Sequence, residues 1–356
     1  MNRRVSTAFS GRRSLRCSSA LVGFLVTALA ATACSGSSAS PDTTKVVSTT
    51  TSTRPPIQPP TASPYRVGDE TVTFVDHTRG TPAHGGAPAT PYRSLSTYIL
   101  YPAVGAPSAI PVDGAPPAGD GKPFPLIMFA HGLDSNGFIY RPLIQQWAAA
   151  GFVVVAPTFP LSSITAPGGA TAVDDIDQPK DLSFVLTQVL KLSDTSGNTL
   201  SGMIDPRRIA GVGHSLGAMT VLAWTEDTCC LDTRVDAAVI IDGTEADFGN
   251  GTFFGGRTVP VLVLHGTADQ TIPYANGKKV YEDAKAPKFL VSLLGAPHVS
   301  FLQLGPPGQK APRWQSTDVD SVTDFLFGEL DSDAAALAKL KSVADVPGLS
   351  TLEEDS

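Results

Sequence analysis

Apolar residues fall into two patterns along this chain. Thr71-Val72-Thr73-Phe74-Val75-Asp76 alternates apolar with polar side chains, and Leu95-Ser96-Thr97-Tyr98-Ile99-Leu100-Tyr101-Pro102 is a second extended stretch. A period of two predicts strands with one wet face. From Pro125 the pattern changes to short apolar runs at Leu126–Ala130, Phe152–Pro157, Arg208–Val212, Ala237–Ile241 and Val261–Leu264. Such runs predict strands covered on both faces. Between and after them, helical signals span Tyr140 to Ala150, Leu182 to Leu192, the residues from Leu216 onward, Asn276 to Ala284 and Asp318 to Leu330. Lys288 to Leu294 predicts a last strand, and 333–345 one further surface helix. Strands alternating with helices predict an α/β fold: a mostly parallel, doubly wound sheet of about eight strands with helices on both faces. The two opening strands form its antiparallel edge. Residues 103–122 read as a Pro/Gly-rich connection, and Leu161 to Pro179 as a loop too short to be a large cap.

Composition fits a loop-rich globular chain, with 33 glycines, 30 prolines and 17% charged residues. The first residues stand apart. Arg3, Arg4, Arg12, Arg13 and Arg16 precede an apolar run from Ala20 to Ala30, too short for a comfortable membrane span. Ala31-Thr32-Ala33-Cys34 then places small residues before a cysteine, resembling a bacterial lipobox. The expected organisation is a lipoprotein-type signal peptide over 1–33, a Ser/Thr/Pro-rich tether over 34–63, the folded domain over 64–345 and a C-terminal tail over 346–356. An ordinary secretory signal cut nearby and a retained anchor are the alternatives.

Losing five arginines and no acid moves the formal charge from −7 to −12. So acidic a surface disfavours nucleic acid and anionic membranes. Membrane attachment would therefore run through a lipid on Cys34, placing the protein on the outer face of the cell membrane, or secreted where Cys34 carries none. Cys229 and Cys230 are the cysteines left in the folded domain. In an oxidising compartment the adjacent pair can close a vicinal disulfide as a stiffening element; two buried thiols are the alternative.

The chemistry centres on Gly213-His214-Ser215-Leu216-Gly217, a G-x-S-x-G turn between an apolar run and a helical one. That context predicts a nucleophile elbow with the Ser215 hydroxyl exposed at the sheet edge. A serine hydroxyl needs a base, and the base needs an orienting acid. Asp269 follows a buried strand and is the expected acid, with Asp242 its rival at the preceding strand end. His298 follows the last strand and completes the order Ser, Asp, His. Backbone N–H groups of Leu216 and Leu133 are the expected oxyanion donors, and the Leu133 side chain could line an acyl pocket. His131 and His265 read as structural, His77 and His84 as surface residues, and His214 as a residue lining the cleft. No metal spacing is present.

These residues resemble the α/β-hydrolase superfamily, and within it the dienelactone hydrolase, chlorophyllase, platelet-activating-factor acetylhydrolase and polyester hydrolase (cutinase-like) branch. The likeness covers most of 120–302. It rests on His131-Gly132-Leu133, Trp147 to Val154, Asp205-Pro206-Arg207-Arg208-Ile209, the elbow, His265-Gly266-Thr267-Ala268-Asp269 and Pro297-His298. Asp242-Gly243 and Gly217-Ala218-Met219 depart from the polyester hydrolases, and Ser215 stands where dienelactone hydrolases carry cysteine. The resemblance implies Ser215, Asp269 and His298 as a triad, with Leu133 and Leu216 as oxyanion donors. The expected activity is cleavage of carboxylic esters, of small molecules, lipids or polymers, through an acyl-enzyme. No cofactor and no metal are implied. The alternatives are an acyltransferase on the same triad and a non-catalytic surface binding lipoprotein.

Overall fold

The computed structural model describes residues 65–300 and 313–356. The expected signal peptide, the expected tether and Cys34 lie outside them. The sheet is built on β4 (Phe124–Ala130), β5 (Val153–Pro157), β6 (Ile204–His214), β7 (Ala237–Ile241), β8 (Val261–Gly266) and β9 (Lys288–Leu293), all mutually parallel where they pair. Every residue of β4, β5, β7 and β8 is buried, as uninterrupted apolar runs require. Alternate side chains of β4 enter two different cores. Leu126, Met128 and Ala130 share one core with residues of α2 (Gln178–Asp194), α3 (Leu216–Glu226) and α4 (Tyr274–Asp283). Ile127 and Phe129 share the other with residues of α1 (Arg141–Ala150) and α5 (Arg313–Asp331). α3, apolar all round, is almost wholly buried behind the elbow.

The opening strands, β1 (Arg66–Asp76) and β2 (Arg93–Ala103), pair antiparallel, and β2 pairs antiparallel with β5. The sheet has ten strands among the described residues, in the order β10-β9-β8-β7-β6-β4-β5-β2-β1-β3. It exceeds the expected eight at both edges. β3 (Val112–Asp113) is a two-residue strand inside the Pro/Gly connection. β10 (Ser350–Asp355) corrects the tail expected over 346–356: these residues pair antiparallel with β9. Its charged residues on both faces (Glu353, Glu354, Asp355) hide it, because a charged edge strand lacks the apolar signature of a buried one. The expected surface helix is α6 (Ala334–Ala344), whose Leu340 and Ala344 are buried against the α5 side of the sheet.

The segment expected as plain loop from 161 to 179 also carries order, a 3-10 turn over Ala172–Asp177 that runs into α2. Arg93, fully buried at the start of β2, holds it there. Its guanidinium donates to both carboxylate oxygens of Asp174 (2.9 and 2.8 Å) and of Asp181 (2.8 and 2.6 Å). Arg79 adds a second cation, 2.7 Å from Asp181 and 2.8 Å from Asp76. Removing one partner of a buried ion pair strands the other's charge, which costs roughly 3–5 kcal/mol. Arg93→Met is therefore expected to lower unfolding stability by about that amount, measured by urea denaturation; a loss under about 1 kcal/mol would show that Arg79 alone satisfies both acids.

Candidate active site

β6 ends at the elbow, and Ser215 sits there at φ 56° and ψ −122°. For a non-glycine residue this is a sparsely populated conformation costing roughly 1–3 kcal/mol, sustained only where the surroundings enforce it. The enforcement is visible. A Cβ on Gly213 would lie 2.2 Å from the Gly217 carbonyl oxygen, and one on Gly217 would lie 2.1 Å from that of Ala130 at the end of β4. The second glycine is thus demanded by the neighbouring strand as well as by the turn itself. The Ser215 N–H donates to Ile241 O at 3.0 Å, tying the turn to β7.

Ser215, His298 and Asp269 come together. Ser215 Oγ is 2.9 Å from His298 Nε2, and His298 Nδ1 is 2.6 Å from Asp269 Oδ2. The other oxygen of Asp269 accepts the N–H groups of Thr271 (2.7 Å) and Ile272 (2.9 Å). Burial alone would raise the Asp269 pKa; the hydrogen bonds from His298 and these two N–H groups hold it below the ordinary carboxylate range. An ionised Asp269 fixes the His298 tautomer with Nε2 free to accept the serine proton.

Of the expected oxyanion donors, Leu216 follows Ser215 directly and Leu133 follows Gly132. Leu216 opens α3, where the first N–H groups have no intrahelical acceptor. Gly132 approaches Ser215 so closely that a Cβ there would sit 3.3 Å from the serine Cβ. Among the described residues neither leucine N–H donates a hydrogen bond. His131 orients the Gly132–Leu133 peptide. Phe159 N–H donates to its Nε2 (3.0 Å), so Nδ1 carries the proton and donates to Gly132 O (2.8 Å). A trans peptide puts its C=O and N–H on opposite sides, so the Leu133 N–H faces away from His131. Burial pushes the His131 pKa down to about 4, keeping the ring neutral.

His214 does more than line the cleft. It is buried, and its ring bridges two parts of the site: Nδ1 is 2.7 Å from the Tyr140 hydroxyl and Nε2 is 2.9 Å from the backbone oxygen of His298. Tyr140 Oη also accepts the Gly132 N–H at 3.2 Å. The directions follow. The tyrosine proton goes to His214 Nδ1, and His214 Nε2–H donates to His298 O. Oxyanion loop, elbow and base loop are thereby joined through two side chains. Burial, then the nearby His298, lowers the His214 pKa to about 3, so the ring stays neutral. The sequence marks Tyr140 only as the start of a helix. Nothing in its sequence surroundings marks it, because its partners lie in loops distant along the chain.

Asp242, the rival acid, is not a partner of His298. Its Oδ1 accepts Gly266 N–H at 2.8 Å, and it lies 3.9 Å from the rings of His214 and His265. Burial raises its pKa well above the carboxylate range. His265 donates from Nε2 to Ile272 O (2.9 Å) and lies 3.4 Å from Asp269, buttressing the acid from behind. Two groupings here have the spacing of metal ligands, His214 with Asp242 and His298, and Asp242 with His265 and Asp269. The hydrogen bonds just described already engage these side chains. Cys229 and Cys230 are joined by a disulfide at the end of α3, with Cys229 N–H donating to Asp227 Oδ1 at 3.0 Å.

Comparison with known proteins agrees with this fold. The family model described as Chlorophyllase matches residues 103–251. The chain is 28% identical over 122 residues to the uncharacterized protein YfhR of Salmonella typhi, covering 27% of this chain and 42% of that one. The protein of the same name from Escherichia coli O157:H7 is 28% identical over 116 residues, covering 27% and 40%. The chain thus spans about two fifths of the length of the curated relatives it matches. Among solved structures, a ferulic acid esterase from Streptomyces cinnamoneus superposes with a TM-score of 0.58 at 21% identity, over 82% of this chain and 96% of that one. At this identity the superposition speaks for the fold.

Tyr140→Phe removes the acceptor for Gly132 N–H and the donor to His214 together. The expected cost is about 1–3 kcal/mol in denaturant unfolding, with slower modification of Ser215 by a fluorophosphonate. An unchanged modification rate would mean that this bridge supports the fold without positioning the serine.

Proposed function

We propose that this chain, a member of the α/β-hydrolase superfamily on its chlorophyllase and esterase side, hydrolyses carboxylic esters through an acyl-enzyme on Ser215. The observation that carries the reading is the continuous line from Asp269 Oδ2 to His298 Nδ1 at 2.6 Å and from His298 Nε2 to Ser215 Oγ at 2.9 Å. His298 Nε2 accepts the serine proton as Oγ attacks the ester carbonyl, and Asp269 stabilises the imidazolium that forms. The carbonyl oxygen becomes an anion beside the N–H groups of Leu133 and Leu216, already fixed in place before the reaction begins. Collapse of this intermediate breaks the ester C–O bond, and His298 returns its proton to the departing alcohol. Water, deprotonated by His298, then attacks the acyl carbon and frees Ser215. Leu133, 46% exposed beside the serine, presents an apolar side chain to the acyl group.

Export belongs to the same proposal. The five arginines, the apolar run and Ala31-Thr32-Ala33-Cys34 support a signal that ends in a lipidated Cys34. The Cys229–Cys230 disulfide suits an oxidising compartment.

Ser215→Ala is expected to leave the thermal transition in place and to cut turnover of p-nitrophenyl acetate by roughly 10⁴-fold or more. Turnover retained in the variant would overturn the assignment. For the anchor, cells fed radiolabelled palmitate should label the full chain in the membrane fraction. The Cys34→Ala variant should carry no label, and a variant labelled as strongly as the parent would rule out Cys34 as the acceptor.

A further inference from the structure

A cavity of about 360 Å³ lies on the active-site edge of the sheet, beyond the oxyanion loop. Its floor is the exposed face of the opening strands, where Thr73 on β1 faces Ser96 on β2, with Ser94 one step along. Two loops wall it. One is the hairpin-like turn that pairs Thr81 with Thr90; the other runs from Thr158 to Pro167 after β5. The two walls meet at their tips, where a Cβ on Gly85 would lie 2.1 Å from the Gly168 carbonyl oxygen. Both glycines have positive φ, 53° and 84°, so the closure depends on residues that tolerate that backbone and carry no side chain. The Arg93 cluster pins the 3-10 turn and the start of α2, into which the second wall runs.

The lining narrows what can bind. Of its fifteen residues, eight carry an aliphatic hydroxyl, four are proline and none is charged. Among the described residues, the hydroxyls of Thr73, Ser94, Ser96 and Thr158 have no protein partner, so they are free to bond a ligand. Tyr92, 39% exposed, and the prolines supply flat apolar surface. A charged ligand would find no counter-charge here. A purely apolar one would leave the free hydroxyls without water or partner, at a cost of about 1–3 kcal/mol each. A neutral ring that carries hydroxyls on its edge and C–H groups on its faces meets both demands. The volume, at the small end of the roughly 300–1,000 Å³ of ligand sites, suits one such ring.

We propose that this cavity is a binding site for a neutral sugar ring. It is built into the catalytic edge. The Asp134 N–H donates to Ser162 O at 2.8 Å and the Ile164 N–H to Ser135 O at 3.0 Å, so the wall of the cavity is paired to the loop that carries Leu133. Gln178 ties the same wall to α3, donating to Ser162 Oγ (2.9 Å) and accepting from Thr220 (2.6 Å). With strands about 4.8 Å apart, the cavity above β5, β2 and β1 lies roughly 10–20 Å from Ser215 on β6. An oligosaccharide can bridge that span and a single sugar cannot. The sugar therefore belongs either to the far end of an esterified oligosaccharide or to a separate glycan; the first source rests on the ester-hydrolysis reading, the second does not.

The test is calorimetric titration of the full chain with xylotetraose, cellotetraose, maltotetraose and mannotetraose. At least one is expected to bind with a Kd near or below about 1 mM. Tyr92→Ala, which removes the flat surface, and Ser96→Met, which fills the floor, should each weaken it by about tenfold or more. Both should retain the parent's melting temperature and its rate with p-nitrophenyl acetate. No binding by any of the four, or binding unchanged in both variants, would overturn the site. The acetylated form of the tetrasaccharide that binds then separates the sources. A raised KM at constant kcat in the variants assigns the sugar to the substrate, and an unchanged KM assigns it to a separate glycan; either result upholds the site. If the parent fails to hydrolyse p-nitrophenyl acetate, the esterase reading falls while the titration still decides the cavity.

Discussion

The backbone of Ser215 is held where an ordinary side chain resists being held, and much of the molecule serves that one constraint. Two glycines make room for it, one against the turn and one against the end of β4. β7 accepts its N–H, and α3 begins immediately after it. The central strands are buried on both faces, so the corner cannot relax by bending the sheet. In return the hydroxyl stands clear of the sheet, beside a helix terminus whose N–H groups are unspent. Strain at one residue and rigidity everywhere around it are two sides of one arrangement.

The parts of this arrangement that are local in sequence were legible in the sequence. The glycine spacing around Ser215, the strand ahead of it and the helix behind it lie within a few residues of one another. Asp269 and His298 could be found because each follows a buried strand, and a parallel sheet brings such positions to one edge. What could not be read is what depends on contacts between distant segments. Tyr140 gains its role from Gly132 and His214. Arg93 gains its role from Asp174 and Asp181, some eighty residues away. β10 is hidden in the sequence for a different reason: an edge strand needs no continuous apolar face, so Ser350–Asp355 carries the composition of a tail.

The two edges of the sheet are finished in different ways. On one, β10 covers β9 with a charged strand. On the other, the antiparallel pair β1 and β2 extends past the parallel core and leaves a hydroxyl-bearing face, roofed by two loops and braced by a buried arginine. Extension of the sheet beyond what the catalytic geometry requires is what makes room for a second recognition surface beside the first.

Three of the histidines gathered at this edge are held neutral by burial, His131, His214 and His265. His214 lies beside His298, ring centres 4.8 Å apart, yet both its nitrogens are committed, one to Tyr140 and one to the His298 carbonyl. In the proposed reaction, a proton taken from Ser215 onto His298 therefore cannot pass to the His214 ring beside it. It stays on Nε2 between the serine and the departing group, to go back to the nucleophile or forward to the alcohol. On that reading His214, committed at both nitrogens, insulates the proton rather than sharing it.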